Sequence, residues 1–257
     1  MTLGKQIIHL ARRAFVRTLR QPGQIFFALA FPIVFLTVIA GGLDPAARLP
    51  RFPAESFLAF MLAVPFVHGS LFTAVNTAIE LGRDIETGFL NRLALTPVRG
   101  IALMLGGLVG AIAIGFFQFA AYFVAGMVAG VDFKAGLAGI PVLFALAALV
   151  AVAFGSAGMA VALRTGSSDA VQSMFPLFFV GLFLSSMNLP RHLIEADWFR
   201  WVATVNPVSY LIEGLRSLVI TGWDWQALAL GFGSAFVLIA FFLTLATLAF
   251  RERLTRT

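Results

Sequence analysis

The sequence predicts an all-α integral membrane protein. It should have six transmembrane helices, an N-terminal interfacial helix, a cytoplasmic helix after the second span and a re-entrant extracytoplasmic hairpin before the last span. Three observations carry this expectation. Hydrophobic residues make up 60% of the 257 residues and charged residues only 12%, whereas a soluble domain carries about 25% charged residues. The apolar residues fall into six blocks, most of them near the roughly 20 residues needed to cross about 30 Å of hydrocarbon. The charged residues gather between the blocks.

Residues 1–23 begin as a basic amphipathic stretch. Leu3, Ile7, Leu10, Ala14 and Phe15 fall on one helical face, and Arg13, Arg17 and Arg20 mark another. Such a helix is too charged to cross and suits the headgroup layer. Pro22-Gly23 then turns the chain. Spans are expected at 25–41, 57–79, 101–130, 140–163, 170–188 and 226–250. Pro32 is a candidate kink in the first. The glycines Gly106, Gly107, Gly110, Gly115 and Gly126 leave the third free to tilt or break.

Twelve of the 18 Lys and Arg residues fall on one side of this plan. They are Lys5, Arg12, Arg13, Arg17, Arg20, Arg83, Arg92, Arg99, Arg164, Arg251, Arg253 and Arg256. Arg48, Arg51, Lys134, Arg191, Arg200 and Arg216 fall on the other. The positive-inside bias puts both termini in the cytoplasm. The net charge of +6 therefore reports topology and lipid contact, not a nucleic-acid partner. No secretory signal peptide is evident.

Residues 80–98 are polar, with Phe89, Leu90, Leu93 and Leu95 at helical spacing and a stop at Thr96-Pro97. A short amphipathic helix here would suit a groove on a partner protein. Residues 189–225 interleave Trp198, Trp201, Tyr210, Trp223 and Trp225 with charges. Their apolar runs are too short to cross, and Asn206-Pro207 supplies a bend, so a re-entrant hairpin in the outer leaflet is expected.

Catalytic and metal chemistry have little to stand on. There is no cysteine, and His9, His68 and His192 are far apart in sequence. Asp84 and Glu86 are two residues apart and diverge on a helix, so a solvated face paired with Arg83 and Arg92 is their simpler reading. His68 is the one titratable candidate inside the spans, and a hydrogen bond to a neighbouring helix is its plainer role. Gln118, Ser156, Asn76, Gln172, Ser173 and Asn188 are among the neutral polar groups there. Met174, Phe175, Phe178, Phe179 and Phe183 form a soft aromatic surface. This is either a greasy substrate pathway or ordinary lipid-facing helix.

Two segments resemble the permeases of type-2 ATP-binding-cassette (ABC) transporters. Arg83-Asp84-Ile85-Glu86-Thr87-Gly88-Phe89-Leu90-Asn91-Arg92-Leu93-Ala94-Leu95-Thr96-Pro97-Val98 is similar to that family's cytoplasmic motif. Asn206-Pro207-Val208-Ser209-Tyr210-Leu211-Ile212-Glu213-Gly214-Leu215-Arg216 resembles its second signature, before the last span. The compact bacterial daunorubicin-resistance and nodulation-exporter type is the subgroup most similar. Ile85 departs from the charged residue that many members carry.

The resemblance implies a subunit that joins a second permease, identical or homologous, and two separate ABC ATPase subunits. ATP and Mg would be bound by the ATPases and no cofactor by this chain, which contains no Gly-x4-Gly-Lys-Ser/Thr pattern. It further implies that Asp84, Glu86, Thr87, Gly88, Phe89, Leu90 and Arg92 form the coupling helix. Residues 1–23 would be the connecting helix. Asn206, Pro207, Tyr210, Glu213 and Arg216 would close the outer end of the pathway, in a bacterial inner membrane.

The scarcity of Trp and Tyr within the spans leans the expected cargo toward a hydrophobic drug or lipid-like molecule, because sugars stack best on those rings. Export of a lipid-linked saccharide is the alternative. An intramembrane lipid-modifying enzyme would need a His/Asp/Glu constellation at one interface. An ion-coupled carrier would need charges at the midplane.

Overall fold

Residues 2–89 and 100–255 are described by a computed structural model, and all the regular structure among them is helical. In chain order the helices are α1 (Leu3–Leu19), α2 (Pro22–Leu43), α3 (Phe57–Met61), α4 (Ala63–Glu86) and α5 (Gly100–Val128). They continue with α6 (Gly136–Thr165), α7 (Ser168–Phe183), α8 (Asp197–Val205), α9 (Pro207–Ile220) and α10 (Trp225–Thr255). Short 3₁₀ turns cover Asp44–Arg48 and Arg191–Leu193.

Among the described residues, five helical segments are long and apolar enough to cross a membrane: Ile25–Arg48, Phe57–Glu86, Leu105–Val128, Gly136–Thr165 and Trp225–Arg253. The block expected to cross at 170–188 is helical only over the 16 residues of α7. At 1.5 Å per residue that is about 24 Å, short of a full crossing. The helix stops at Leu184, ahead of the polar run Ser185-Ser186.

Two further boundaries differ from expectation. Arg83–Glu86 is the last turn of α4, not the start of a separate loop helix. Gly88, at φ +67°, ends it in the left-handed conformation that glycine adopts without steric cost. Beyond Phe89 the expected coupling helix, including Leu90 and Arg92, lies outside the described residues. Pro22 opens α2 at its first turn, where a missing N–H costs nothing, and α2 continues through Pro32. α5 runs unbroken through its glycines.

Those glycines permit close packing. A Cβ on Gly106 would lie 2.5 Å from Leu10 Cβ, and one on Gly110 would lie 2.8 Å from Ala14 Cβ. The contact advances four residues on each helix, so α1 and α5 run side by side in the same direction. The N-terminal helix is therefore docked on protein along its Leu10–Ala14 face. Lys5, Ile8, His9, Arg12, Val16, Leu19 and Arg20 remain exposed. In hydrocarbon, close approach over small residues stands in for the missing hydrophobic drive. Gly110→Val should loosen α1 and cost about 1–3 kcal/mol. A lower melting temperature in detergent, with faster proteolysis within α1, is the expected reading.

α4 is the buried centre of the bundle. Gly158 of α6 sits against Ala78, and Ser70 Oγ donates to Ala147 O. Thr73 Oγ1 donates to Gln118 Oε1 at 2.8 Å, and Tyr122 OH donates to Ala28 O. Ser156 Oγ donates to Val152 O within its own helix. Most polar groups of the spans thus bond inside the protein, as a bilayer demands.

Contacts between elements sort the molecule into two ends. At the near end Arg164 pairs with Glu252 (2.6 Å), and the last turn of α4 meets α1 and the start of α7. At the far end Lys134 pairs with Glu55, Lys134 N donates to Val219 O, and His192 meets Arg51 O.

Candidate coupling site and aromatic pathway

The near-end site is built from residues four apart on two helices. Arg13 and Arg17 occupy successive turns of α1, and Glu80 and Asp84 occupy successive turns of α4. Arg13 donates to both carboxylate oxygens of Asp84 at 3.0 and 3.1 Å. Arg17 reaches Asp84 at 3.2 Å and Glu80 at 3.1 Å. Gln21 Nε2 donates to Glu80. Asp84 and Glu80 keep only 14% of their side-chain surface exposed, so these pairs are less screened than surface pairs. Asp84 is therefore not the locally paired, solvated residue expected, because the matching four-residue spacings draw two helices together.

Glu86 has a different partner. Its carboxylate accepts from Ser168 N at 2.7 Å and from Ser168 Oγ at 3.0 and 3.1 Å. It thereby satisfies an orphan N–H at the start of α7 and sits at the positive end of that helix. Ser167 Oγ caps the same turn by accepting from Ala170 N. Gly82 leaves room for this junction, since a Cβ there would lie 2.7 Å from Ser168 N. Phe89 is half-buried with the Arg13 guanidinium 4.1 Å over its ring, Gly88 is likewise half-buried and Thr87 is exposed.

The aromatic residues of α7 divide between two sides. Phe175, Phe179 and Phe183 face α2 and α4. Phe175 lies 5.3 Å from Phe72, Phe179 is 5.5 Å from His68 and 6.2 Å from Phe31, and Phe183 is 6.4 Å from Phe35. Phe178 turns instead to Phe154 of α6. Met174 is half-buried and belongs to neither ring group. His68 is fully buried, and neither ring nitrogen has a hydrogen-bond partner among the described residues. Its expected hydrogen bond is replaced by ring contacts with Phe31, Phe35 and Phe179.

At the far end the second sequence motif comes together around the end of α7. Asn206 caps α9 by accepting from Val208 N, and its amide donates to Gly181 O and Leu184 O. Pro207 is the first residue of α9. Arg216 donates to Phe60 O at 2.9 Å, Ser186 O at 3.1 Å and Met187 O at 2.8 Å, with its guanidinium 3.5 Å over the Phe60 ring. Burial pulls Arg216 down to about 9, against the opposing pull of Glu213, which leaves it cationic at neutral pH. Glu213 accepts two bonds from Arg191, whose guanidinium also lies 4.6 Å over Tyr210. Burial works against the Arg191 cation, but Glu213 and Tyr210 outweigh it and hold Arg191 above the usual arginine range.

Comparison with known proteins places the chain in a family. The model of the ABC-2 type transporter family matches residues 5–220. The chain belongs to that family. It is the permease of an ABC-2 type transporter, a multi-pass membrane protein and a transport subunit, not an enzyme. Permeases of this family pair with ATPase subunits.

Three relatives bear the name "Putative transport permease ycf38". That of Porphyra purpurea is 26% identical over 226 residues, covering 86% of this permease and 76% of the relative. That of Pyropia yezoensis is 26% identical over 84% and 75%, and that of Cyanophora paradoxa 22% identical over 83% and 74%.

The residue-level expectations missed three groups that the structure brings together. Arg13, Arg17 and Glu80 had a signal in their matching spacings. Ser167-Ser168-Asp169 reads as a helix start, which would have placed a capped N-terminus after Arg164. Phe31, Phe35 and Phe72 had no such signal, since phenylalanine is common throughout the spans. The Arg13–Asp84 pair makes a direct test of the α1–α4 tie. Asp84→Arg should destabilise the permease and Arg13→Asp with it should recover part of the loss. A double-mutant cycle of melting temperatures should give a coupling of about 0.5–3 kcal/mol.

Proposed function

We propose that this permease is the membrane half of an ATP-driven exporter that moves a hydrophobic drug or lipid-like substrate out of the cytoplasm or inner leaflet. Two permease subunits, identical or homologous, would join two ATPases in a bacterial inner membrane. In this reading both termini are cytoplasmic and the near end is the cytoplasmic one, as the distribution of Lys and Arg favours. α7 and the residues after it make a sixth, shortened crossing, and α8 and α9 form the outer re-entrant hairpin. That hairpin supports the short crossing, because Asn206 takes up carbonyls at the end of α7, and Arg216 those of the segment just after it, that lipid could not.

The observation that carries the coupling scheme is the position of Glu86. It lies two residues before Gly88, at the end of the buried central helix, and its carboxylate holds the start of α7. ATP-driven closure of the ATPases would push on the segment from Thr87 onward. The push passes to α7 through Glu86 and to α1 through Glu80 and Asp84. α7 then shifts its rings, Phe175, Phe179 and Phe183, against those of α2 and α4. The energy enters as a difference in ATP affinity between the two arrangements. A wall of phenylalanines around one histidine suits apolar cargo.

Co-reconstitution tests the reading. The ATPase encoded with this permease should co-purify with it and turn over faster in its presence. Vesicles holding both should export an amphipathic dye only when ATP is supplied. Export driven by a proton or sodium gradient without the ATPase would overturn the proposal.

A further inference from the structure

The far end contains a cavity of about 570 Å³, whose lining includes Phe60, Arg191, Arg200, Thr204, Glu213 and Arg216. That volume falls within the range of small-molecule sites. The charges around it are not balanced locally. Glu213 is taken up by a two-point bond from Arg191. Asp224, the other carboxylate of the lining, caps the start of α10 by accepting from Gln226 N and Ala227 N. Arg200 is steered by donating to Ile194 O and Glu195 O, and its ion partner Asp197 is almost wholly exposed.

Arg216 is the least usual member. It is only 4% exposed; Glu213 supports its charge, but no described carboxylate forms a direct ion pair with it. Its three recorded bonds all go to carbonyl oxygens, which fix the side chain without cancelling its charge. A guanidinium has five N–H donors, so two remain beyond those three bonds.

We propose that this cavity binds a phosphate-bearing headgroup on the outer side of the membrane, with Arg216 and Arg200 as its cationic poles. Arginine suits a tetrahedral oxyanion because its planar fork gives paired bonds. Phe60 and Ile220 supply an apolar wall for the glycerol or acyl portion next to the phosphate. The inference rests on the export reading for its sidedness and names the polar end of the lipid-like substrate.

The test uses the purified full-length permease in neutral detergent without its ATPase. Isothermal titration compares dihexanoyl phosphatidic acid, neutral dihexanoylglycerol and inorganic phosphate. Phosphatidic acid should bind saturably, and dihexanoylglycerol should not. Phosphate should compete at higher concentration. Thr204→Glu places a carboxylate at the exposed rim, and Arg200→Gln removes one cation. Each should weaken phosphatidic acid roughly tenfold, with elution volume unchanged in both and melting temperature unchanged in Thr204→Glu. Inorganic phosphate binding as tightly as phosphatidic acid supports the anion site and assigns it to the free ion. Equal binding of the neutral diacylglycerol, or affinities unmoved by both variants, overturns the proposal. Because no ATPase is present, that failure leaves the export reading intact, and a permease that binds phosphatidic acid yet never stimulates its ATPase sinks export alone.

Discussion

Arg216→Met should prevent accumulation of the folded permease. The methionine fills much of the arginine's volume but donates nothing. Three carbonyls from two distant segments, Phe60 O on one side and Ser186 O and Met187 O on the other, then lose their donor in a buried region. A loss on the order of 3–5 kcal/mol is expected, a large share of the stability of most proteins. Arg216→Lys should recover only part of it, because one ammonium cannot span carbonyls that a fork holds apart. Gel filtration of a fluorescent fusion, followed by thermal unfolding of whatever survives, reads the effect. A Met variant that elutes and melts as wild type would show that the hairpin does not depend on this cation.

Glu86→Ala should separate ATP hydrolysis from transport. The permease keeps its fold, since the carboxylate lies at the periphery of the bundle and α7 retains its Ser167 cap. What disappears is the tie from the end of α4 to the start of α7. Export should fall about tenfold, within the range usual for coupling between distant sites, while the stimulated ATPase turnover falls less. Glu86→Gln should lie between, because its carbonyl oxygen still accepts from Ser168 N. Ser168→Ala, which keeps the backbone donor, should be milder than Glu86→Ala, and the double variant should be no worse than Glu86→Ala. Full export by Glu86→Ala would show that α7 takes its motion from elsewhere.

Legibility differed between elements for physical reasons. The long apolar helices stood out because a bilayer imposes length and composition together. α10 was expected at 226–250 and spans Trp225–Thr255, and α6 was expected at 140–163 and spans Gly136–Thr165. α7 was expected to be longer because hydropathy counts residues, and it cannot see that Asn206 and Arg216 satisfy an early helix end. The first motif was visible as a polar segment, but Arg83–Glu86 belongs to α4, since nothing before Gly88 interrupts the helix. The second motif was visible as a bend, and its Glu213 and Arg216 could be named. Their partners Arg191, Phe60, Ser186 and Met187 could not, because they lie elsewhere in the chain.

By itself the sequence determined that this protein lives in a bilayer, which of its segments are helices and which two polar motifs interrupt them. Those properties follow from local composition and from the rule that backbone polar groups cannot face lipid. Only the tertiary structure decided that α1 docks on α5, that Asp84 binds α1 while Glu86 holds α7, and that a buried arginine stitches the hairpin to the bundle. Each is a pairing of side chains far apart along the chain, selected by the register in which helices meet, and no local pattern encodes that register.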